Sequence, residues 1–92
     1  MNMKVKYSAI TDMKLALAAV KQNGNVLQYI KDQTEAVCLA AVKQDGYALR
    51  YIKDQTEAIC LAAVKQNGNA LRYVLNKKLF FKIAEKLGID IE

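Results

Sequence analysis

Residues 42–63 read VKQDGYALRYIKDQTEAICLAA, and this stretch decides the fold because the chain repeats it. The preceding stretch, residues 20–41, is identical to it at all but five of 22 positions. A third copy opens at Val64 and diverges after Val74. Self-similarity at a fixed period indicates a stacked repeat array, in which each unit buries its apolar face against its neighbours.

Composition favours helices over strands. The 92 residues allow one small domain, proline is absent, and 53% of the residues are hydrophobic. Ala, Leu, Lys, Gln and Glu are all good helix formers, so we predict an all-α fold. The net charge of +5 gives a basic surface, which suits an acidic partner. Many small proteins carry such a charge without one.

Each unit divides into a longer and a shorter helical piece. We predict α-helices over 12–22, 34–44 and 56–66, and one- to two-turn helices, α or 3₁₀, over 26–31, 48–53 and 70–75. The N-cap of the longer helix is Asp32 or Thr34 in one unit and Asp54 or Thr56 in the next. The longer helices are apolar on nearly every face, so stacked neighbours must cover them.

Single glycines and polar residues mark the boundaries between the helical pieces. We predict that Gly24, Gly46 and Gly68 end the longer helices in the left-handed conformation. Asn25 and Asn69 are then the expected N-caps of the shorter helices, a role that Tyr47 cannot take in the central unit.

The two ends of the array differ from its middle. Residues 5–19 form a degenerate N-terminal capping unit, residues 20–41, 42–63 and 64–76 are the repeats, and residues 77–92 form an amphipathic C-terminal capping helix with a short tail. In sequence, Ile83 and Ala84 keep the register of Leu61 and Ala62. The predicted architecture is therefore a short α-solenoid of 22-residue repeats.

No residue pattern in this sequence indicates an enzyme active site. The chain has no His, and its two cysteines, Cys38 and Cys60, lie one period apart. Stacked helices are roughly 8–10 Å apart, beyond the roughly 7 Å between Cα atoms that a disulfide allows, so both are predicted to be buried thiols. We expect no enzyme activity, cofactor or metal. No apolar run reaches the ~20 residues of a membrane span, and we predict a cytoplasmic protein of a bacterial or host cell.

The units resemble a family of short tandem repeats that is known as a domain of unknown function. The resemblance rests on residues 39–46, LAAVKQDG, followed by Ala48, Leu49 and Tyr51. It covers about residues 5–76. It implies a helical repeat without catalytic residues, of a kind found in tandem arrays of viruses, phages and host-associated bacteria. The units are also similar to leucine-rich-repeat-variant solenoids, which alternate α and 3₁₀ helices.

Positions that vary between near-identical repeats are candidates for partner contact. They lie at the glycine turn, and we predict a contact edge there with Tyr47, Arg50 and Arg72 as its anchors, because Tyr and Arg are frequent interface hot spots. The full candidate set adds Asn25 and Asn69 at the turn, the column Lys21, Lys43 and Lys65, and the stripe Lys78, Lys82 and Lys86.

Structural explanations compete with each of these interpretations, and the sequence favours them. Exposed turn positions drift freely. The lysine column compensates helix dipoles at C-terminal ends, and the stripe solvates the outer face of a cap. The tyrosine column of Tyr7, Tyr29, Tyr51 and Tyr73 is more typical of core packing than of base stacking.

Two functions remain as hypotheses. The first is a protein–protein interaction module, such as a small phage or bacterial inhibitor that blocks a macromolecular complex, for example a CRISPR effector. The alternative is a nucleic-acid-binding helical repeat that uses the lysine columns. We expect a monomer or a weak homo-oligomer.

Overall fold

The computed structural model describes residues 13–90, and every regular element within that range is a helix. Four α-helices alternate with three 3₁₀ helices, which confirms the all-α repeat fold and identifies the shorter pieces as 3₁₀. In chain order they are α1 (Met13–Gln22), η1 (Gly24–Tyr29), α2 (Glu35–Gln44), η2 (Gly46–Tyr51), α3 (Glu57–Gln66), η3 (Gly68–Tyr73) and α4 (Lys77–Leu87). The first part of the predicted N-terminal unit, including Tyr7, lies outside the described residues.

The helices form two layers. Helix α2 packs between α1 and α3, while η1, η2 and η3 form a second layer beneath the α-helices. The described chain is elongated, with extents of 45 × 18 × 18 Å. The core runs along the long axis between the layers, and each unit contributes the same positions to it. In the central unit these are Val42, Ala48, Leu49, Ile52, Ile59, Cys60 and Ala63.

The starts of α2 and α3 follow the sequence prediction. Thr34 and Thr56, rather than the preceding aspartates, are the N-caps, and each hydroxyl accepts from the backbone N–H three residues on. Glu35 and Glu57 then occupy the first turn, where the helix dipole favours a carboxylate. The predicted boundaries of the α-helices are correct to within one residue.

The predicted left-handed glycines are wrong for Gly24, Gly46 and Gly68. Gly88 is the one glycine with positive φ among residues 13–90. Helices α1, α2 and α3 instead end because the residue before the glycine is extended, as at Asp45 with φ −151° and ψ 109°. The glycine then begins the 3₁₀ helix, two residues earlier than predicted.

The prediction of Asn25 and Asn69 as N-caps is also wrong. The caps are Asn23, Asp45 and Asn67, and each side-chain oxygen accepts at 3.0 Å from the backbone N–H two residues on. The central unit is therefore capped as well as the others. The sequence pattern does not distinguish the two positions, because an Asx side chain can accept from the backbone N–H groups of a turn whether it lies before or after the glycine.

Close approach, rather than backbone conformation, explains two of these glycines. A Cβ on Gly46 would lie 2.5 Å from the carbonyl oxygen of Ala63 in α3, and one on Gly24 would lie 2.6 Å from that of Ala41 in α2. The N–H of Gly46 also donates at 2.6 Å to Gln66 Oε1. A Cβ on Gly68 would meet nothing within 4 Å.

The glutamines just before α2 and α3 join successive units. Gln33 Nε2 donates to the carbonyl of Tyr51 at 2.9 Å, one unit further on. Gln55 Nε2 makes the matching bond to Tyr73 at 2.9 Å, and its Oε1 accepts from the N–H of Leu75 at 2.9 Å. These bonds satisfy backbone groups that 3₁₀ helices leave unpaired at their ends.

Helix α4 closes the array in a different way from a further repeat. Its last turn carries Lys86, which contacts Glu57 in the first turn of α3, although parallel stacked helices would bring first turns together. Only three residues, 74–76, separate η3 from α4, against five between η2 and α3. The shorter connection does not reproduce the repeat path, and lysines in the second half of α4 reach the first turn of α3.

The burial of α4 also differs from that of the repeat helices. Ile83 and Ala84 are buried, whereas Leu61 and Ala62 are half-exposed, so the register that links these pairs in sequence is not kept in structure. The stop at Gly88, with φ 66°, is as predicted. No helix within residues 13–90 is both long enough and apolar enough to cross a bilayer.

Candidate partner-binding surfaces

One candidate surface lies at the edge of the 3₁₀ layer, where two arginines rest on tyrosine rings. The Arg50 guanidinium lies 4.8 Å from the Tyr51 ring centroid, and that of Arg72 lies 5.8 Å from the centroid of Tyr73. The Tyr47 ring meets the Tyr73 ring edge-on, at 5.9 Å and 84°. We call these five residues the aromatic–arginine cluster. It joins η2 to η3.

Local structure brings the cluster together. With three residues per turn, a 3₁₀ helix places Tyr47 and Arg50 on the same side. The bond from the Tyr47 N–H to Asp45 Oδ1 holds the first turn of η2 in place. The tyrosine rings are half-buried, whereas both arginines are exposed. The three predicted anchors therefore lie within one surface.

Neither arginine is neutralised within residues 13–90. Lys82 and Lys86 pair with Glu57, whereas no ion pair within residues 13–90 includes Arg50 or Arg72. A guanidinium stacked on a ring keeps its N–H edge free for a carboxylate or phosphate, and the ring reduces the side-chain entropy lost on binding. The cluster is thus suited to an acidic ligand.

The two asparagines at the turn occupy the positions equivalent to Tyr47. Asn25 is half-buried, and its Oδ1 is a buried oxygen without a hydrogen-bond partner in the described structure. Asn69 is exposed in the last unit. The three predicted anchors therefore belong to the aromatic–arginine cluster. The two asparagines lie outside it, in the units before and after that of Tyr47.

A second candidate surface is a groove on the outer side of the α layer, which we call the helix-layer groove. It lies between α2 and α3 and has a volume of about 540 Å³. Its walls are formed by Leu39, Lys43, Ala58, Leu61, Ala62, Lys65 and Gln66. The predicted lysine column thus supplies the rim of an apolar groove, while Lys21 is exposed at the end of α1.

Sequence reasoning did not find this groove. The signal was present in the apolar character of the α-helices on nearly every side, since neighbours and the 3₁₀ layer together cover only three sides. Leu39 and Leu61 are the residues left half-exposed on the fourth. An α-helix that is apolar all round indicates either full burial or an uncovered face.

The C-terminal lysine stripe is engaged within the chain. Lys82 Nζ lies 3.0 Å from Glu57 Oε1, and Lys86 Nζ lies 2.6 Å from Glu57 Oε2. Hydrogen bonds from Lys86 and Lys82 hold the pKa of the Glu57 carboxyl below its ordinary value. Lys78 is exposed. Two of the three stripe residues therefore fasten α4 to α3.

The tyrosine column is partly a packing feature. Tyr51 and Tyr73 pack against the hydrophobic core while remaining half-exposed. Tyr51 also borders a polar recess of about 560 Å³, whose charged lining residues are Lys31, Asp32, Lys53 and Asp54. With two charges of each sign, this recess selects weakly for charged ligands.

The cysteines offer no reactive thiolate. Cys38 and Cys60 are free and buried. Burial raises the pKa of each thiol to about 11, and the charges of Glu35 and Asp54 add to the effect at Cys38. Thiols with such a pKa are almost wholly protonated at neutral pH, so they are poor nucleophiles and metal ligands. No group of metal-binding side chains is present within residues 13–90.

Comparison with known proteins finds one family. The model of a family described as Domain of unknown function (DUF4116) matches residues 12–57 and, in a second overlapping match, residues 34–79. The second match begins 22 residues after the first, which is one repeat period. Neither the curated proteins nor the solved structures contain a match to the chain.

Proposed function

The chain belongs to the DUF4116 family, and from that premise we propose that it is a non-enzymatic protein–protein interaction module that binds through the aromatic–arginine cluster. The observation that carries this proposal is the pair of exposed guanidinium groups stacked on Tyr51 and Tyr73 without a carboxylate partner in residues 13–90. The partner surface expected is acidic.

Physical chemistry supports a protein partner at this site. Arg and Tyr are enriched among residues that contribute most to binding energy, because each offers a large contact area together with directed hydrogen bonds. The cluster is also held in place before binding: Tyr47 packs on Tyr73, and each arginine on its ring. Preorganised side chains lose less entropy when a partner docks.

We also propose, more specifically, that the chain is a small phage or bacterial inhibitor that binds a macromolecular complex and blocks it, with a CRISPR effector as an example. An exposed surface that is suited to acidic ligands, carried on a short stacked array, fits such a role. Co-expression of the chain with an interference-competent CRISPR system tests it: plasmid interference falls if the proposal is correct and is unchanged if it is wrong.

A pull-down from bacterial lysate at physiological salt, with and without nuclease, tests the binding surface. We expect a protein that is retained after nuclease and lost when Arg50→Ala and Arg72→Ala are combined. The matched control combines Lys31→Ala with Lys53→Ala, which removes the same charge from the polar recess, and should retain the protein. Equal capture by both variants would contradict the assignment of the cluster.

Nuclease separates the alternative function. Nucleic acid bound along Lys21, Lys43 and Lys65 would disappear after nuclease treatment. Its binding would also fall steeply as salt is raised, because phosphate contacts release counterions. A packed protein interface responds far less to salt. Capture that depends on nucleic acid and on the lysine column would replace the protein-binding proposal.

A further inference from the structure

The helix-layer groove is an apolar surface that the described chain does not cover. Leu39 and Leu61 hold the same repeat position in α2 and α3, and both are half-exposed. Ala58 is exposed on the wall of the groove. By contrast, Ile59, Cys60 and the other core-facing residues of α3 are buried. The exposed apolar side chains therefore form a continuous patch.

The charged residues that line this groove have one sign. Lys43 and Lys65 stand at the rim, both exposed, and no carboxylate lines the groove. Neither lysine belongs to an ion pair within residues 13–90. A ligand that fills the groove with apolar side chains thus meets two ammonium groups along one border. Carboxylates on the ligand would pair with them.

We propose that the helix-layer groove binds an acidic amphipathic helix of a partner protein. The apolar stripe of that helix would pack against Leu39, Leu61 and Ala62, and its carboxylates would meet Lys43 and Lys65. Amphipathic helices dock in this way into grooves between two helices, with anchors three and four residues apart. A volume of about 540 Å³ lies within the range of roughly 300–1,000 Å³ that is common for binding clefts.

A second copy of this chain is a poor occupant of the groove. Its own amphipathic helix, α4, carries four lysines and a single acidic residue, Glu85. Docking α4 of another copy would bring lysines against Lys43 and Lys65, and like charges in contact are repulsive. The charge of the rim therefore selects a different, acidic protein. This surface is separate from the aromatic–arginine cluster, which lies in the other layer.

Nuclear magnetic resonance titration of the isotope-labelled full chain tests the proposal. The probes are two designed amphipathic helical peptides with the same leucine stripe, one with glutamate and one with lysine at every polar position. We expect the glutamate peptide to shift the amide signals of Leu39, Ala58, Leu61 and Ala62, and the lysine peptide to leave them unchanged.

Three variants locate the binding. Ala58→Glu places a carboxylate on an exposed helical wall position without disturbing the core, and should weaken binding of the acidic peptide more than about tenfold. Combining Lys43→Gln with Lys65→Gln should weaken it roughly three- to tenfold. The control Gln28→Glu adds the same charge as Ala58→Glu on the 3₁₀ layer and should have no effect.

Other outcomes would overturn the proposal. They are equal shifts with the lysine peptide, shifts confined to the 3₁₀ layer, and no shifts with either peptide. Vesicles of phosphatidylserine and phosphatidylcholine provide the remaining arm. A chain that binds these vesicles through Leu39 and Leu61, and that does not respond to the acidic peptide, would have a membrane-binding surface there instead.

Discussion

Replacing Gly46 by alanine tests how closely η2 packs against the end of α3, because the change adds a single carbon atom at that contact. The added Cβ would lie 2.5 Å from the carbonyl oxygen of Ala63, 2.9 Å from Gln66 Oε1 and 3.2 Å from the Cβ of Asn67. Two of these contacts are to the backbone or to a capping side chain, which cannot simply rotate away. The end of helix α3 must therefore shift.

The expected magnitude has two parts. Overpacking of this kind costs roughly 1–3 kcal/mol, and displacement of Gln66 Oε1 from the Gly46 N–H costs about 1 kcal/mol more. We expect Gly46→Ala to reduce the free energy of unfolding by about 2–4 kcal/mol. For a domain of this size, that lowers the midpoint of thermal unfolding by roughly 10 °C or more.

The chain supplies a matched control one period later. A Cβ on Gly68 would meet nothing within 4 Å, and the backbone there is not left-handed. Gly68→Ala should therefore be neutral or stabilise by about 0.4–1 kcal/mol, because alanine restricts the unfolded chain. Urea unfolding followed by circular dichroism measures both variants. Equal effects of Gly46→Ala and Gly68→Ala would refute the close approach of the stacked units.

Three further predictions concern the joints between units and the core thiols. Gln55→Ala removes two hydrogen bonds to the next unit and should lower the free energy of unfolding in urea by about 1–3 kcal/mol. An unchanged free energy of unfolding would contradict the role of Gln55 in joining the units. The pKa of Glu57 is lowered in the folded state, so the stability it adds is complete above its ordinary pKa of 4.5 and is lost as the pH falls through the folded value. Glu57→Gln should therefore make the free energy of unfolding less dependent on pH in the acid range. An unchanged pH dependence would argue against the ion pairs with α4. Cys38 and Cys60, whose pKa is raised to about 11, should react with Ellman's reagent at pH 8 only after unfolding; rapid reaction of the folded chain would show that the thiols are accessible.

The repeat period carried most of the information about the fold. Near-identity of successive units predicts that each helix contacts its own copy, and the apolar run around Cys60 predicts a helix covered by neighbours. Both features depend on local composition and on the 22-residue spacing. Thr56 was one of two cap candidates, because either it or Asp54 has a side chain that accepts from the first turn. The structure was needed to choose between them.

Other features depend on contacts that no single unit encodes. The role of Gly46 is set by the carbonyl of Ala63 at the far end of its own unit and by Gln66 in the next unit. A glycine in sequence signals close approach and left-handed backbone equally well. The different placement of α4 is seen in its shorter connection and in the contact of Lys86 with Glu57. Variation between repeats predicts three members of the aromatic–arginine cluster, Tyr47, Arg50 and Arg72. It does not predict that these side chains pack on the rings of Tyr51 and Tyr73.

Insertion of one more unit tests the central claim that residues 20–73 form a stacked array with a 22-residue period. A second copy of residues 42–63, inserted directly after Ala63, should fold and add one helix of each kind. Small-angle X-ray scattering should then show the long dimension, 45 Å for the described chain, increased by about 9 Å, the usual distance between packed helices. An unchanged length, or a loss of helical signal in circular dichroism, would contradict the array.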